Sequence, residues 1–242
     1  MNSHPVAFTF CRQIPWCRLA LLWSLASLFT LAGCGKRENA GQSISPPHRA
    51  SSTSRPGDSG STIAAGLSAK IKFKTENGDT AFSLKPQDDG AKLVDADERE
   101  LARFNLSGSK LKVKDANDLV LGYIVASAGK YKIKNASQGV ELWKLQRQDD
   151  GDWKLEDEKD QLIYKIKKRE YGFEIEDATE TSLFKVKLKD GKSSLRDTSD
   201  HTVFSTKDQV PTIAVSCLGF ETIESLPLRS ALMTMLIIDA GR

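Results

Sequence analysis

The sequence predicts a mainly β fold: a closed antiparallel barrel of about twelve strands, built from hairpin repeats and wrapped around a C-terminal hydrophobic helix. Three observations predict it. A unit of about 20 residues recurs through the C-terminal two thirds of the chain, polar and apolar residues alternate inside each unit, and the last segment is apolar around its whole circumference.

The repeat is marked by Leu93-Val-Asp95, Val113-Lys-Asp115, Ile133-Lys-Asn135, Leu155-Glu-Asp157, Ile175-Glu-Asp177 and Leu195-Arg-Asp197, whose Asp/Asn positions are spaced 20, 20, 22, 20 and 20 residues apart. A second apolar pair follows each one, as in Leu121/Ile124 and Ile163/Ile166. Each unit therefore reads strand, acidic turn, strand. Lys110-Leu-Lys-Val-Lys114, Lys130-Tyr-Lys-Ile-Lys134 and Lys185-Val-Lys-Leu-Lys189 alternate with period two, which places lysines on one face and apolar side chains on the other. Asp, Asn, Gly and Ser between the strands suit turns. Residues 70–74 and 81–84 form a less regular hairpin ahead of the six units.

From Ser225 to Gly241 the pattern becomes that of one helix over about 225–239, with Ser225 as cap, Pro227 in the first turn and Gly241 at the stop. Leu226, Leu228, Leu232, Met235, Leu236 and Ile238 leave no polar face, so the helix must be surrounded. It is too short to span a bilayer, which takes about 20 residues. A closed sheet around it removes exposed strand edges and fills the lumen. A β-solenoid, a propeller or choline-binder hairpins are the other ways to arrange such units. The last need paired aromatics in each unit, whereas Trp143 and Trp153 are the only tryptophans of the repeats. The hairpin units and final helix resemble the tubby C-terminal-like fold shared by tubby proteins, LURP-one-related proteins and phospholipid scramblases, over about residues 69–241. That resemblance implies recognition of phosphoinositide headgroups by basic side chains. The domain is taken as residues 67–242.

The start of the chain is an address. Arg12 and Arg18 precede an apolar run from Leu19 to Thr30, and no acid is present. The run ends in Leu31-Ala32-Gly33-Cys34, which resembles the lipobox of bacterial lipoproteins at every position. That resemblance implies a signal peptide over 1–33, cleavage before Cys34, a diacylglyceryl thioether on its sulfur and often an acyl group such as palmitate on its new amine. One acyl chain binds a membrane only marginally, whereas two or three hold a protein there durably. Gly35, being other than Asp, favours the outer over the inner membrane within that family. Residues 34–66 are rich in Ser, Pro and Gly and almost devoid of large apolar residues, as expected of a disordered tether.

The intact chain has 242 residues and a formal net charge of +3, with 39% hydrophobic and 28% charged residues. Such a chain can bury a core, which excludes global disorder. Its charge is too balanced for a dedicated nucleic-acid binder. Of the four cysteines, Cys11 and Cys17 fall in the signal and Cys34 in the lipobox, which leaves Cys217 as a buried core thiol with no disulfide partner. No nucleophile elbow, phosphate loop or Cys–His pairing is present. No cofactor or metal set is legible either: the turn aspartates suit backbone capping, Asp149-Asp-Gly-Asp152 lacks calcium-loop spacing, His48 lies in the tether, and His201 stands alone in the domain. The candidate ligand residues are the lysines of the polar strand faces: Lys70, Lys72, Lys74, Lys110, Lys112, Lys114, Lys130, Lys132 and Lys134. They are expected to contact an anionic lipid headgroup or an envelope protein. The alternative is a structural or protein–protein interaction module, and no enzymatic activity is expected.

Overall fold

In the computed structural model, residues 67–241 are described, and the alternating segments pair into fourteen strands. The first hairpin is β1 (Ile71–Lys74) and β2 (Thr80–Gln87). The repeats follow as β3 (Gly90–Asp95), β4 (Glu100–Ser107), β5 (Lys110–Asp115), β6 (Val120–Ser127), β7 (Lys130–Lys134), β8 (Glu141–Arg147), β9 (Trp153–Asp157), β10 (Leu162–Arg169), β11 (Gly172–Asp177), β12 (Ser182–Lys189), β13 (Lys192–Arg196) and β14 (Thr202–Thr206). Each strand pairs antiparallel with its sequence neighbours, and β14 returns to β1 to close the barrel. The expectation of about twelve strands is thus corrected to fourteen: the six units supply β3 to β14, and the irregular first hairpin joins the same sheet. The segments expected to be a signal peptide and a tether, with Cys34 between them, lie outside the described residues.

Seven turns share one rim, and in all of them the first residue's N–H donates to the carbonyl of the last, as in Asp95 to Arg99 at 2.9 Å and Asp177 to Thr181 at 3.0 Å. The fourth residue is left-handed. It is Gly78 in the first turn but Glu98, Asp118, Gln138, Asp160, Glu180 and Asp200 in the others, at φ between 59° and 67°. Non-glycine residues are uncommon there, and the side chain of the first turn residue, Asn135 in the Gln138 turn and Asp in the other five, secures them. Asp177 Oδ1 accepts N–H bonds from Thr179 at 2.8 Å and Thr181 at 2.9 Å, and Asp95, Asp115, Asp157 and Asp197 do the same in their turns.

Lys112 of β5 lies level with Tyr123 of β6 and Lys134 of β7, although Lys132 is its counterpart in the repeat. Each hairpin therefore steps two residues along the barrel, as again at Lys92–Arg103–Lys114 and Lys154–Lys165–Glu176. This stagger tilts the strands and lets the sheet close. Inward positions are apolar, with Phe104, Leu111, Ile124, Ile133, Leu155 and Ile166 fully buried, while the lysines point outward. That is the inverse of a transmembrane barrel, whose outside is apolar.

The lumen is filled by the end of the chain. After β14, α1 (Thr212–Ser216) and a 3₁₀ turn (Cys217–Gly219) run inward to the rim of the acidic turns, where the Thr222 N–H donates to the Tyr164 hydroxyl at 3.2 Å. The chain then returns as α2 (Leu226–Ala240), and Asp239 receives the Tyr131 hydroxyl at 2.9 Å near the opposite rim. Ser225 caps α2 by accepting the Leu228 N–H at 3.4 Å, and Pro227 sits in its first turn. Ala231, Leu232, Met233 and Met235 are fully buried. On one side α2 packs on β3 to β7, and α1 packs on β11 to β13. The second, shorter helical piece was not expected: five residues after Pro211 carry too little periodicity to read as a helix. Arg229 ties the two pieces together by donating to the Leu218 carbonyl at 2.8 Å. Gly122 keeps β6 close to this core, since a Cβ there would stand 2.5 Å from the Lys134 carbonyl oxygen and 3.3 Å from Leu228.

Candidate functional site: a basic face on three strands

The barrel separates the nine candidate lysines into two groups. Lys70, Lys72 and Lys74 belong to β1 and its approach, at the seam with β14. Lys110, Lys112, Lys114, Lys130, Lys132 and Lys134 lie on β5 and β7, which flank β6.

The seam is the thinnest join in the sheet, because β1 and β14 share only the Lys74–Ser205 pair. Past it, the Lys72 N–H is satisfied by the Asp208 carboxylate at 2.7 Å in place of a strand carbonyl. Inside, Phe73 stacks on Phe82 with ring centres 4.9 Å apart, and Phe204 of β14 meets Phe82 edge-on at 5.4 Å. Outside, Lys72, Lys74, Lys192 and Lys207 line a cavity of about 380 Å³ together with Glu76 and Asp208. Lys192 and Lys207 come from distant sequence and were not among the candidates. Lys70 is taken up by an ion pair with Glu98.

The second group forms a different kind of surface. Tyr123 points outward from β6, yet only 8% of it is exposed. Lys112 and Lys134 are its direct partners across the two ladders, and the Lys110 ammonium lies 5.6 Å from its ring centre. Val125 is the partner of Lys110 and of Lys132. An apolar strip thus runs between two lysine rows. In this face Lys114 pairs with Asp118 at 3.1 Å and Lys132 with Glu141 at 2.6 Å. Lys112, Lys130 and Lys134 have no carboxylate within ion-pair distance among the described residues.

The repeat supplies an internal control. The positions equivalent to Tyr123 and Val125 are Arg103 and Asn105, Lys144 and Gln146, Lys165 and Lys167, Lys185 and Lys187, and Ser205 and Lys207. Only β6 is apolar there. The rows beside it differ as well: β9 and β11 place Glu156, Glu174 and Glu176 where β5 and β7 place lysines. Residues 110–134 carry six lysines and two acids, net +4, whereas residues 153–189 carry nine basic and nine acidic residues, net zero. On that balanced side the outward glutamates of the strands are held by basic neighbours, Glu174 by Arg169 at 3.0 Å and Glu176 by Lys167 at 2.8 Å. Glu156 is bonded by Lys154 at 2.6 Å and Lys144 at 2.9 Å. Burial pushes its carboxyl up, and the lysine hydrogen bonds outweigh this to hold it below its ordinary range. Glu174 is lowered likewise against its burial, by Ser182 and Arg169. The basic face has such partners only for Lys114 and Lys132 among the described residues, and keeps a positive field. Tyr123 and Val125 escaped the linear reading because a lone Tyr and Val in a strand look like core. Aligning offsets from each turn Asp would have found them.

Of the other residues singled out, the turn aspartates spend their carboxylates on backbone N–H groups, and the Thr179 hydroxyl and the Thr181 and Thr179 N–H bonds hold Asp177 below its usual range. Among the described residues no three His, Cys, Asp or Glu side chains gather to hold a metal ion. Asp150 caps the Asp152 N–H at 2.9 Å, and Asp152 accepts the Lys168 N–H at 2.7 Å. His201 is an exposed turn residue 3.7 Å from Asp197. Cys217 is fully buried, and burial pushes its thiol pKa well up, as expected of a core cysteine.

No known family model matches the chain, and no curated protein matches it. Among solved structures, an Arabidopsis thaliana protein superimposes with a TM-score of 0.36 at 8% identity, covering 70% of this chain and 100% of its own. An alternansucrase in complex with isomaltononaose gives a TM-score of 0.16 at 15% identity, over 52% of this chain and 12% of its own.

Proposed function

We propose that this protein is a membrane-anchored bacterial envelope lipoprotein. It is held by an acylated Cys34, and its barrel binds the anionic headgroups of a lipid surface without catalysing a reaction. The β5–β6–β7 face carries the reading: a net charge of +4 over residues 110–134, with Tyr123 and Val125 apolar where every other repeat is polar. A basic residue near an anionic surface contributes about 1 kcal/mol, and an interleaved aromatic suits the interface. The lipobox match supports the anchor, with Gly35 favouring the outer membrane. The resemblance of the hairpins and final helix to the tubby-like and scramblase barrels supports a lipid-facing role.

The test is flotation of a non-acylated chain, residues 35–242, with vesicles of phosphatidylcholine alone or mixed with phosphatidylglycerol. Binding is expected only to the anionic vesicles, weakening as salt rises. Replacing Lys112 and Lys134 together by Ala should weaken it about thirtyfold, from about 1 kcal/mol per lysine. Replacing Lys165 and Lys185 should change it little. Failure to bind anionic vesicles would instead favour an acidic envelope protein as the partner of this face, the structural or protein-interaction role.

A further inference from the structure

The seven acidic-rim turns offer a second comparison between repeats. The last residue of each does the same backbone work: its carbonyl accepts the N–H of the first residue, at 2.9 to 3.1 Å. Nothing in that task selects a side chain. The residues found there are Asp79, Arg99, Leu119, Val140, Gln161, Thr181 and His201. Five are polar. The two apolar ones sit on neighbouring hairpins, β5–β6 and β7–β8, the turns that end the two lysine strands. Both face water, Leu119 at 64% and Val140 at 43% exposure. Among the described residues one other large apolar side chain is comparably exposed, Leu188, and it lines the opposite mouth beside Val210 and Pro211.

Exposed leucine and valine at hairpin tips do not help the barrel fold, and single exposed apolar residues are ordinary; what sets these two apart is that they fall on neighbouring turns of one rim, beside the lysine strands. The acids of these turns do not oppose an anionic surface strongly. Asp115 Oδ1 accepts the N–H groups of Asn117 and Leu119 at 2.9 and 2.8 Å, and Asp118 lies between Lys114 at 3.1 Å and Arg103 at 3.5 Å. Lys134, one residue before the β7–β8 turn, has no carboxylate partner within ion-pair distance among the described residues. Lysines above and apolar tips at the edge are the arrangement of an interfacial anchor, in which charge draws the surface to anionic lipid and small apolar groups enter the boundary below the headgroups.

Building on the lipid-binding reading above, we propose that the barrel sits on an anionic bilayer with its acidic-turn rim tilted down at β5–β8. Leu119 and Val140 insert into the headgroup–acyl boundary, and Lys112 and Lys134 lie at headgroup level. The occupant of this edge is the bilayer itself.

The experiment uses residues 35–242, which keep the whole closed sheet and its core. Their one cysteine, Cys217, is fully buried. A polarity-sensitive nitrobenzoxadiazole label is placed at Leu119→Cys, Val140→Cys or, as a control, Thr181→Cys, and vesicle binding is measured by flotation in the same samples. With phosphatidylglycerol-containing vesicles, labels at 119 and 140 should shift to the blue and be quenched by brominated lipid, while the label at 181 stays aqueous. The pair Leu119→Ser with Val140→Ser should weaken binding about tenfold with the lysines intact. Binding without a shift at 119 and 140, or with an equal shift at 181, overturns the insertion and leaves headgroup binding standing. No binding to anionic vesicles overturns both.

Discussion

Truncating Leu232 in the middle of α2 tests whether the end of the chain is the core of the barrel. Leu232 is fully buried. Leu232→Ala removes three carbons, worth about 2.4 kcal/mol at about 0.8 kcal/mol each. The remainder depends on how far the surroundings collapse. α2 is held between α1 and strands β3 to β7 of a sheet that closes on itself, so the wall cannot move in far. If about 40 to 80 Å³ of cavity persists, it adds about 1 to 2 kcal/mol. The total, about 3.5 to 4.5 kcal/mol, is a large part of the roughly 5 to 15 kcal/mol that stabilises a typical domain. With a urea m-value of about 2 kcal/mol/M, the midpoint should fall by about 2 M. Leu119→Ala is the matched control: the same three carbons leave a site 64% exposed, and the expected cost is below about 0.5 kcal/mol. Urea titration of residues 35–242, followed by near-ultraviolet circular dichroism, measures both. Equal midpoints for the two variants would show that α2 is peripheral, and the reasoning from an all-apolar helix to a filled lumen would be wrong.

Other substitutions address other layers of the structure. Asp177→Ala leaves the Thr179 and Thr181 N–H groups and the Thr179 hydroxyl without their shared acceptor, and should cost about 1 to 2 kcal/mol in the same titration; an unchanged midpoint would mean that the left-handed turn holds itself. Gly122→Ala drives a methyl to 2.5 Å from the Lys134 carbonyl oxygen and should cost about 1 to 3 kcal/mol, whereas the same change at Gly139, where a Cβ would meet only the Ser137 Oγ at 3.5 Å, should cost less. Acid should destabilise the barrel: hydrogen bonds from Lys70 and then Lys85 lower Glu98 to about 2, and Lys144 and Lys165 lower Asp160 and Glu180. Because these folded-state values lie below the unfolded ones, their stabilisation is complete above the ordinary carboxylate range and is lost as pH falls from about 4.5 towards 2. Salt near 1 M should flatten that dependence, since exposed pairs are screened within about 3 Å, and a urea midpoint that is flat from about pH 6 to pH 3 at low salt would refute it. Cys34→Ser should block acylation and leave an uncleaved precursor of higher mass, with wild-type mass and fractionation as the contrary result.

The linear pattern by itself determined the β class, the hairpin units, the turn aspartates and the final buried helix. Each of these rests on local chemistry: period-two alternation, an Asp carboxylate returning to its own turn, and a helix with no polar side. The twenty-residue spacing left a solenoid or a propeller open beside the barrel, while Cys217 reads as core from its apolar neighbours alone. Tertiary structure decided the rest. Whether the sheet closes between its first and last strands depends on a single Lys74–Ser205 pair and the Phe82–Phe204 contact, both made by segments more than a hundred residues apart. The gathering of Lys192 and Lys207 with Lys72 and Lys74 has the same origin. Which lysines keep their charge free was equally invisible in sequence, because the two-residue stagger between hairpins chooses each cross-strand partner. It sets Lys112 and Lys134 against Tyr123, and Lys144 and Lys167 within reach of Glu156 and Glu176. A sequence specifies which residues face outward. Only the closed, tilted sheet decides which outward charges meet an opposite one and which are left to meet something else.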